Sequence, residues 1–329
     1  MYWHIIRLIT TNMAATISEY LVKCAVFQNA SAKLKNKLRI LGDQYGTLAG
    51  FKNASIESLN GLTNAEGTSL IVPLTPGEQR IVVAIQHGID ESSSIENNFI
   101  SILTSNFITR QLNMLEDMTL EDLNTNPLLC AALRFSSAYE LVKYNVYALA
   151  TRSIVTSMGY FVQDLLLYSS ADVYDGKDFD EGKNVKWDLV VERLDAVRSY
   201  IEVKSGPNDL DKGQIKSYKK EIQAVEKLGH KGYIGITYGK RDSDTVSINL
   251  FKQYLEKWNE RTLIGTELWD FITENNNYHQ TLTTSIQQIA ESILSQHSII
   301  DKIEERVSAL VESFNEKYNS IDDYLTQLW

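Results

Sequence analysis

Two hydrophobic rhythms divide this chain. Apolar residues recur every three to four positions through most of it, the spacing of a buried helical face. Between Trp187 and Phe251 they come instead in short runs or at alternate positions. The first rhythm predicts a helix over residues 14–42, with Lys33, Lys35, Lys37 and Arg39 forming a basic end and Gly42 as its stop. A turn-rich stretch follows, "YGTLAGFKNASIESLNGLTNAEG". It reads as an ordinary helix–turn connection, with a faint likeness to a helix-hairpin-helix around Gly46, Gly50 and Gly61. Thr75, Pro76 and Glu78 mark a helix N-terminus with proline in its first position. The polar run Asp90–Asn98 is a loop or cap. Helical spacing then runs from Phe99 to Tyr168, broken where Asn126 is pushed out of the α region by Pro127.

The second rhythm predicts strands. "WDLVVERL" and "RSYIEVKS" are rich in β-branched residues and are joined by a short turn near Asp195. "LDKGQIKSYKKEIQAVEKLG" is a helix closed by Gly229, "GYIGITYG" a third strand and "DTVSINLF" a fourth. From Phe251 the pattern is helical again. Strand–strand–helix–strand behind a helix is an α/β core with a buried sheet. The expected organisation is a helical region over 1–98 with DNA contact as a candidate role, a catalytic domain over 99–275, and helices over 276–329 as candidates for dimerisation.

Composition narrows the class. The 329 residues are 43% hydrophobic and 22% charged, ordinary for a globular protein. No run of eighteen apolar residues suggests a membrane span, and the opening "MYWHIIRLITTNM" is a poor signal peptide. Met13 is a second candidate start, which leaves residues 1–12 open as an upstream extension. Two cysteines, Cys24 and Cys130, and five scattered histidines argue for a reducing compartment and against a Cys- or His-built metal site. A cytoplasmic protein is expected. Net charge is −10, yet Lys183–Arg241 carries thirteen basic against eight acidic residues. Local basicity of that kind is what a phosphate backbone meets.

The chemistry gathers in the same region. Asp188 precedes the triplet Glu202-Val203-Lys204. Residues two apart on a strand share a face, so Glu202 and Lys204 project together and Val203 opposes them. If the first two strands pair, Asp188 lies beside Glu202. Two adjacent carboxylates repel unless a positive charge lies between them, and Mg²⁺ suits that gap. Spacing alone leaves two readings open, an ion-paired hairpin and a metal site that cleaves phosphodiesters. Apolar neighbours Tyr200, Ile201 and Val203, the turn "SGPN" after Lys204, and the basic helix with Lys212, Lys216, Lys219 and Lys220 shift weight toward the second without closing the first.

These residues resemble the signature of PD-(D/E)XK nucleases, and their surroundings resemble type II restriction endonucleases. "NPLL" at Asn126, "TSMGYFVQDLLL" from Thr156 and "EVKSGPN…KGQ" are similar to successive family motifs, over residues 123–275. The resemblance implies a restriction-endonuclease-like mixed sheet flanked by helices, with large helical N- and C-terminal additions. It implies an Mg²⁺-dependent, site-specific double-stranded DNA endonuclease in a bacterial or archaeal cytoplasm. It also implies a homodimer, and a cognate DNA methyltransferase in the same system though not as a stable subunit. Asp188, Glu202 and the Val203 carbonyl would hold the metal, and Lys204 would be the catalytic lysine. Gln163 and Gln214 would support the site, with Tyr218 one turn beyond Gln214. Asn208, Lys212 and Lys216 would lie along the DNA. Gln163 stands where many members carry glutamate, which argues against a strong second metal site. The adjacent Asp164 points elsewhere on the helix, and Asp172, Asp175, Asp178 and Asp180 form a solvated loop or supply a further ligand. Two alternatives stay open: a nuclease of the same fold serving repair or mobile-element processing, and a non-catalytic DNA-binding or scaffold protein.

Overall fold

The computed structural model describes residues 15–123, 125–179, 187–193 and 197–328. Residues 1–12, Asp180, Lys183, Lys186 and the turn at Asp195, all used above, lie outside them. In chain order the helices before the sheet are α1 (Ile17–Phe27), α2 (Ala32–Gln44), α3 (Leu48–Lys52), α4 (Ile56–Asn60), α5 (Pro76–Gly88), α6 (Ile95–Asp117), α7 (Pro127–Leu133) and α8 (Ala138–Leu167). The sheet region contains β1 (Val173–Asp175), β2 (Leu189–Glu192), β3 (Arg198–Lys204), α9 (Lys212–Lys227), β4 (Lys231–Ile236), α10 (Val246–Tyr254), α11 (Trp258–Arg261) and β5 (Thr262–Ile264). Helices α12 (Thr266–Thr273), α13 (Tyr278–Leu294), α14 (Ile299–Lys317) and α15 (Ile321–Thr326) follow.

The chain divides into two compact units, each assembled from two chain segments. The first comprises residues 1–103 and 162–285, and the second 104–161 and 286–329. The first contains a five-stranded mixed sheet in the order β1-β2-β3-β4-β5. β1, β2 and β3 pair antiparallel, while β3–β4 and β4–β5 pair parallel. The parallel crossover from β3 to β4 is helix α9, which buries Ile215, Ile222 and Val225 on the sheet face that also presents Val190, Tyr200 and Ile234. This is the expected α/β core with a mixed sheet flanked by helices.

The second unit is helical. Ile303, Val307, Leu310 and Phe314 form one stripe of α14 and pack with Leu115, Leu141, Val142 and Val146. The apolar stripe of α14 is thus buried within this unit.

Four expectations need correction. The proposed fourth strand "DTVSINLF" is helix α10: Ser247, Ile248 and Phe251 are its buried residues, a helical rather than an alternating pattern. Its Val and Ile suggested a strand, but packing against the sheet decides the conformation. The strand that completes the sheet is β5, only three residues long and so without a pattern to betray it. The polar loop before Trp187 contains a strand, β1, with Val173 and Tyr174 buried. The single helix over 14–42 is two helices, separated where Asn29 adopts a left-handed backbone and Ser31 caps α2 through the Leu34 N–H. Gly42 does not stop a helix. It sits inside α2, where a Cβ would come within 2.4 Å of the Ser18 Cα, so it allows α1 and α2 to touch.

Other local expectations match. Thr75 and Glu78 form a reciprocal capping box with Pro76 leading α5. Asn126 is extended and caps α7, receiving the N–H groups of Leu128 and Leu129. The turn-rich segment forms the short helices α3 and α4, capped by Thr47 and Ser55, with Leu48, Phe51 and Leu59 buried.

Candidate active site

The site grows from the register of β2 and β3. Leu189 pairs with Ile201 and Val190 with Tyr200, so one step further Asp188 stands opposite Glu202. Asp188, Val190, Tyr200, Glu202 and Lys204 then share one sheet face by the two-residue repeat. That face is buried under α9 as far as Tyr200. The charges begin just beyond it, with Glu202 still buried beside Tyr218 of α9.

Each polar atom there has a defined role. Asp188 Oδ2 accepts the backbone N–H of Val203 at 2.8 Å, and its Oδ1 accepts Gln163 Nε2 at 3.2 Å. Glu202 Oε1 accepts both Lys204 Nζ and the Tyr218 hydroxyl, each at 2.8 Å. Lys204 Nζ lies 5.3 Å from the centre of the Tyr218 ring. Among the described residues, Glu202 Oε2 and the second lone pairs of Asp188 have no donor. The Val203 carbonyl lies on the same strand edge as its N–H, because both groups of one strand residue point the same way. That edge faces Asp188, whereas the Lys204 carbonyl turns to β4 and accepts the Thr237 N–H.

Electrostatics distinguish the members. Burial, and then the neighbouring Glu202, push the Asp188 carboxyl up from 3.8 to about 6. Burial works against the Lys204 charge, but its bonds to Glu202 and Tyr218 prevail and hold the ammonium above the usual lysine range. Burial pushes the Tyr218 hydroxyl up to about 12, so it acts as a neutral donor. Glu221, one turn past Tyr218, is also pushed up by burial and by Glu202. Lys204 thus answers Glu202, while Asp188 is stabilised only by neutral donors and weaker, more distant cations. A carboxylate pair with one unanswered member and a strand carbonyl at its edge is an oxygen donor set of the type Mg²⁺ takes.

The backbone around Asp188 is tightly placed. The Gly176 N–H donates to the Asp188 carbonyl. A Cβ at Gly176 would lie 2.1 Å from the Trp187 carbonyl oxygen. Trp187 itself is buried in the core of the sheet.

Not all the expected residues meet here. Asp188, Glu202, Val203, Lys204 and Gln163 do. Gln214 is occupied elsewhere: its Oε1 accepts the Asp211 N–H in the capping box that starts α9. Tyr218, one turn on, is the residue of α9 that reaches the carboxylate. The Q-x-x-x-Y spacing placed it on the right face without indicating that it would replace Gln214. Asp164 turns away and pairs with Lys23 at 2.6 Å. Asp175 caps the short turn after β1 through the Lys177 N–H. Asn208 Oδ1 accepts the Val246 N–H at 3.4 Å. Lys212 and Lys216 lie over the Tyr254 ring at 4.9 and 5.7 Å, and among the described residues neither pairs with a carboxylate. Among the same residues no three acidic, His or Cys side chains gather into a group that could hold a metal ion, so a cation here would meet two carboxylates.

Comparison with known proteins now bears on this geometry. The family model of type II restriction endonuclease EcoO109I matches residues 94–293, more than half of the chain. The chain belongs to that family. The match spans β1 to β5 and every residue of the carboxylate–lysine cluster. Membership places the protein among restriction endonucleases, hydrolases that act within restriction–modification systems. The search of curated proteins found no match. No helix among the described residues is long and apolar enough to cross a membrane.

Proposed function

We propose that this protein is an Mg²⁺-dependent, site-specific endonuclease of double-stranded DNA, acting as a homodimer alongside a separate cognate methyltransferase. The observation that carries the reading is the pairing of Asp188 with Glu202 across β2 and β3, with Lys204 on the same face. Asp188, Glu202 and the Val203 carbonyl would hold the cation. When bound, it would polarise the scissile phosphate and lower the pKa of a coordinated water.

The remaining steps belong to the chain's own groups. Lys204 is charged and partly exposed, so it can meet a phosphate oxygen and offset the charge that develops on it. Tyr218 shares Glu202 Oε1 with Lys204 and fixes that oxygen when the ammonium turns toward the phosphate. Gln163 and the Val203 N–H fix the two oxygens of Asp188. The uncommitted ammonium groups of Lys212 and Lys216 supply backbone contacts along the duplex, which position DNA without reading its sequence. A palindromic target would require two copies related by a two-fold axis, each cutting one strand.

The deciding experiment digests a sequenced phage genome with Mg²⁺ and maps the ends. Wild-type protein should give discrete fragments. Asp188→Ala and Lys204→Ala should bind the mapped site in Ca²⁺ yet leave it intact. Cleavage by either variant at the wild-type rate, or cutting that depends on ends or branches rather than sequence, would overturn the assignment.

A further inference from the structure

In the sheet, β2 and β3 are flanked by β1 and β4. Each flanking strand carries an exposed donor two residues past its end, on the side of the sheet where the carboxylates lie. Beyond β1 the donor is Lys177. The Gly176 N–H donates to the Asp188 carbonyl at 3.1 Å, so the turn Gly176–Asp178 rests against the start of the site. The Lys177 ammonium meets Asp175 at 3.4 Å, with 65% of the side chain exposed. It is the one cation in residues 172–178. Asp175 accepts the Lys177 N–H, and burial pushes the Asp178 carboxyl up.

Beyond β4 the donor is Tyr238. The preceding residue is fastened to the end of β3: the Thr237 N–H donates to the Lys204 carbonyl, and the Thr237 hydroxyl to the Ser205 carbonyl at 2.8 Å. The Tyr238 hydroxyl lies across the turn that follows, since a Cβ at Gly206 would come within 2.7 Å of it. Gly239 has a φ of 118°, a conformation that glycine supplies. A Cβ at Gly265 would lie 2.4 Å from the Gly239 carbonyl oxygen. Close approaches at three glycines thus set the course of this turn. Tyr238 is nonetheless 62% exposed, and among the described residues its hydroxyl has no partner. The nearby Asp209 carboxylate accepts the Ser205 hydroxyl at 2.8 Å instead.

We propose that Lys177 and Tyr238 grip two phosphates of one DNA strand, one on each side of the scissile phosphate. The scissile group belongs over Asp188, Glu202 and Lys204 on the middle strands. A backbone crossing the sheet end from β1 to β4 therefore passes Lys177, then the carboxylates, then Tyr238. Three strand spacings of about 4.8 Å give a crossing of about 14 Å, room for several nucleotides at a rise of about 3.4 Å. Lysine and tyrosine both hold DNA backbone, which fixes register without reading sequence. The turn after β4 is charge-balanced, with Lys240 and Arg241 against Asp242 and Asp244. Tyr238 thus supplies a directed hydrogen bond, whereas Lys177 supplies charge. The grip rests on the endonuclease proposed above and gives the cut strand a path across the sheet.

The test is binding to a synthetic duplex in Ca²⁺. Its sequence comes from the hydroxyl-radical footprint of the wild-type protein on phage DNA, so no cleavage is needed to choose it. Lys177→Met and Tyr238→Phe should each weaken binding about tenfold, the worth of one hydrogen bond to a charged group. Lys177→Met should also flatten the slope of log affinity against log salt by about 0.9, one phosphate's share, and Lys177→Arg should restore it. Tyr238→Phe removes no charge and should leave the slope unchanged. Both positions are exposed, so urea midpoints should match the wild type. Duplexes carrying single neutral methylphosphonates then locate the contacts. Each variant should be indifferent to one substitution that costs the wild type about tenfold. The two positions should lie on one strand with at least one phosphate between them. Normal binding by either variant, an unchanged slope for Lys177→Met, or sensitivity of both to the same phosphate would overturn the grip. So would normal binding by Tyr238→Phe with loss in Tyr238→Ala, because the ring would then be stacking on a base. A wild type that cuts a defined site while both variants bind normally refutes the grip and spares the nuclease. A wild type that shows both couplings and never cuts refutes the nuclease and spares the grip. The absence of any footprint refutes both.

Discussion

The backbone N–H of Val203 donates to Asp188 Oδ2 at 2.8 Å, joining the end of β3 to the residue that precedes β2. This bond holds an ionisable group where burial and Glu202 both oppose its charge. The folded protein therefore binds the Asp188 proton more tightly than the unfolded chain does. Above about pH 6 the charged carboxylate destabilises the fold, and this cost fades as pH falls toward the unfolded value of 3.8. A displacement of that size is about 3 kcal/mol at most, and solvent screening reduces it to about 1–2 kcal/mol. Asp188→Asn should accordingly raise metal-free stability by about 1–2 kcal/mol at pH 7.5 and by much less at pH 4.5. Urea denaturation in EDTA at the two pH values measures this. Equal gains at both would remove burial of charge as the explanation.

Tyr218→Phe removes one of two donors from Glu202 Oε1 and leaves the ring in place. Cleavage should slow by about tenfold, the cost of one lost orienting hydrogen bond near a ligand. Site binding in Ca²⁺ should not change. The apparent Mg²⁺ requirement should rise, which a purely structural role would not produce. Titration of the cleavage rate against Mg²⁺ distinguishes the two.

Gln163→Glu replaces the neutral donor on Asp188 Oδ1 with a third carboxylate. Without metal the repulsion should cost about 1 kcal/mol. With Mg²⁺ or Mn²⁺ the added charge should strengthen binding. Thermal melts across a metal titration should therefore show a lower starting midpoint and a larger total rise than the wild type. A flat response would mean that residue 163 does not face the cation.

Gly42→Ala should destabilise the protein by about 2 kcal/mol, the cost of forcing a methyl group against the backbone of a neighbouring helix. The cleavage rate of the folded fraction should be unchanged. Full stability in a denaturant titration would show that α1 and α2 can separate without loss.

Much of the site was legible because a two-residue repeat and one register suffice to place Asp188, Glu202 and Lys204 together. The capping box at Thr75 and the break at Asn126 were legible for the same reason, since each depends on a few consecutive residues. What failed depended on distant partners. Val246–Tyr254 contains strand-forming residues, yet its burial follows a helix because the sheet face beneath it selects that spacing. β5 is too short to announce itself. Gln214 and Tyr218 were equally placed by spacing, and only the Asp211 cap determined which of them was left for Glu202.

One earlier detail bears on how this protein would tolerate variation. Gly176 has no chemistry, yet any side chain there collides with the carbonyl of the residue before Asp188. In a saturation survey scored by protection against phage, position 176 should reject nearly every substitution, as position 188 should. A map of tolerance alone would then rank a silent glycine beside the carboxylates it helps to place.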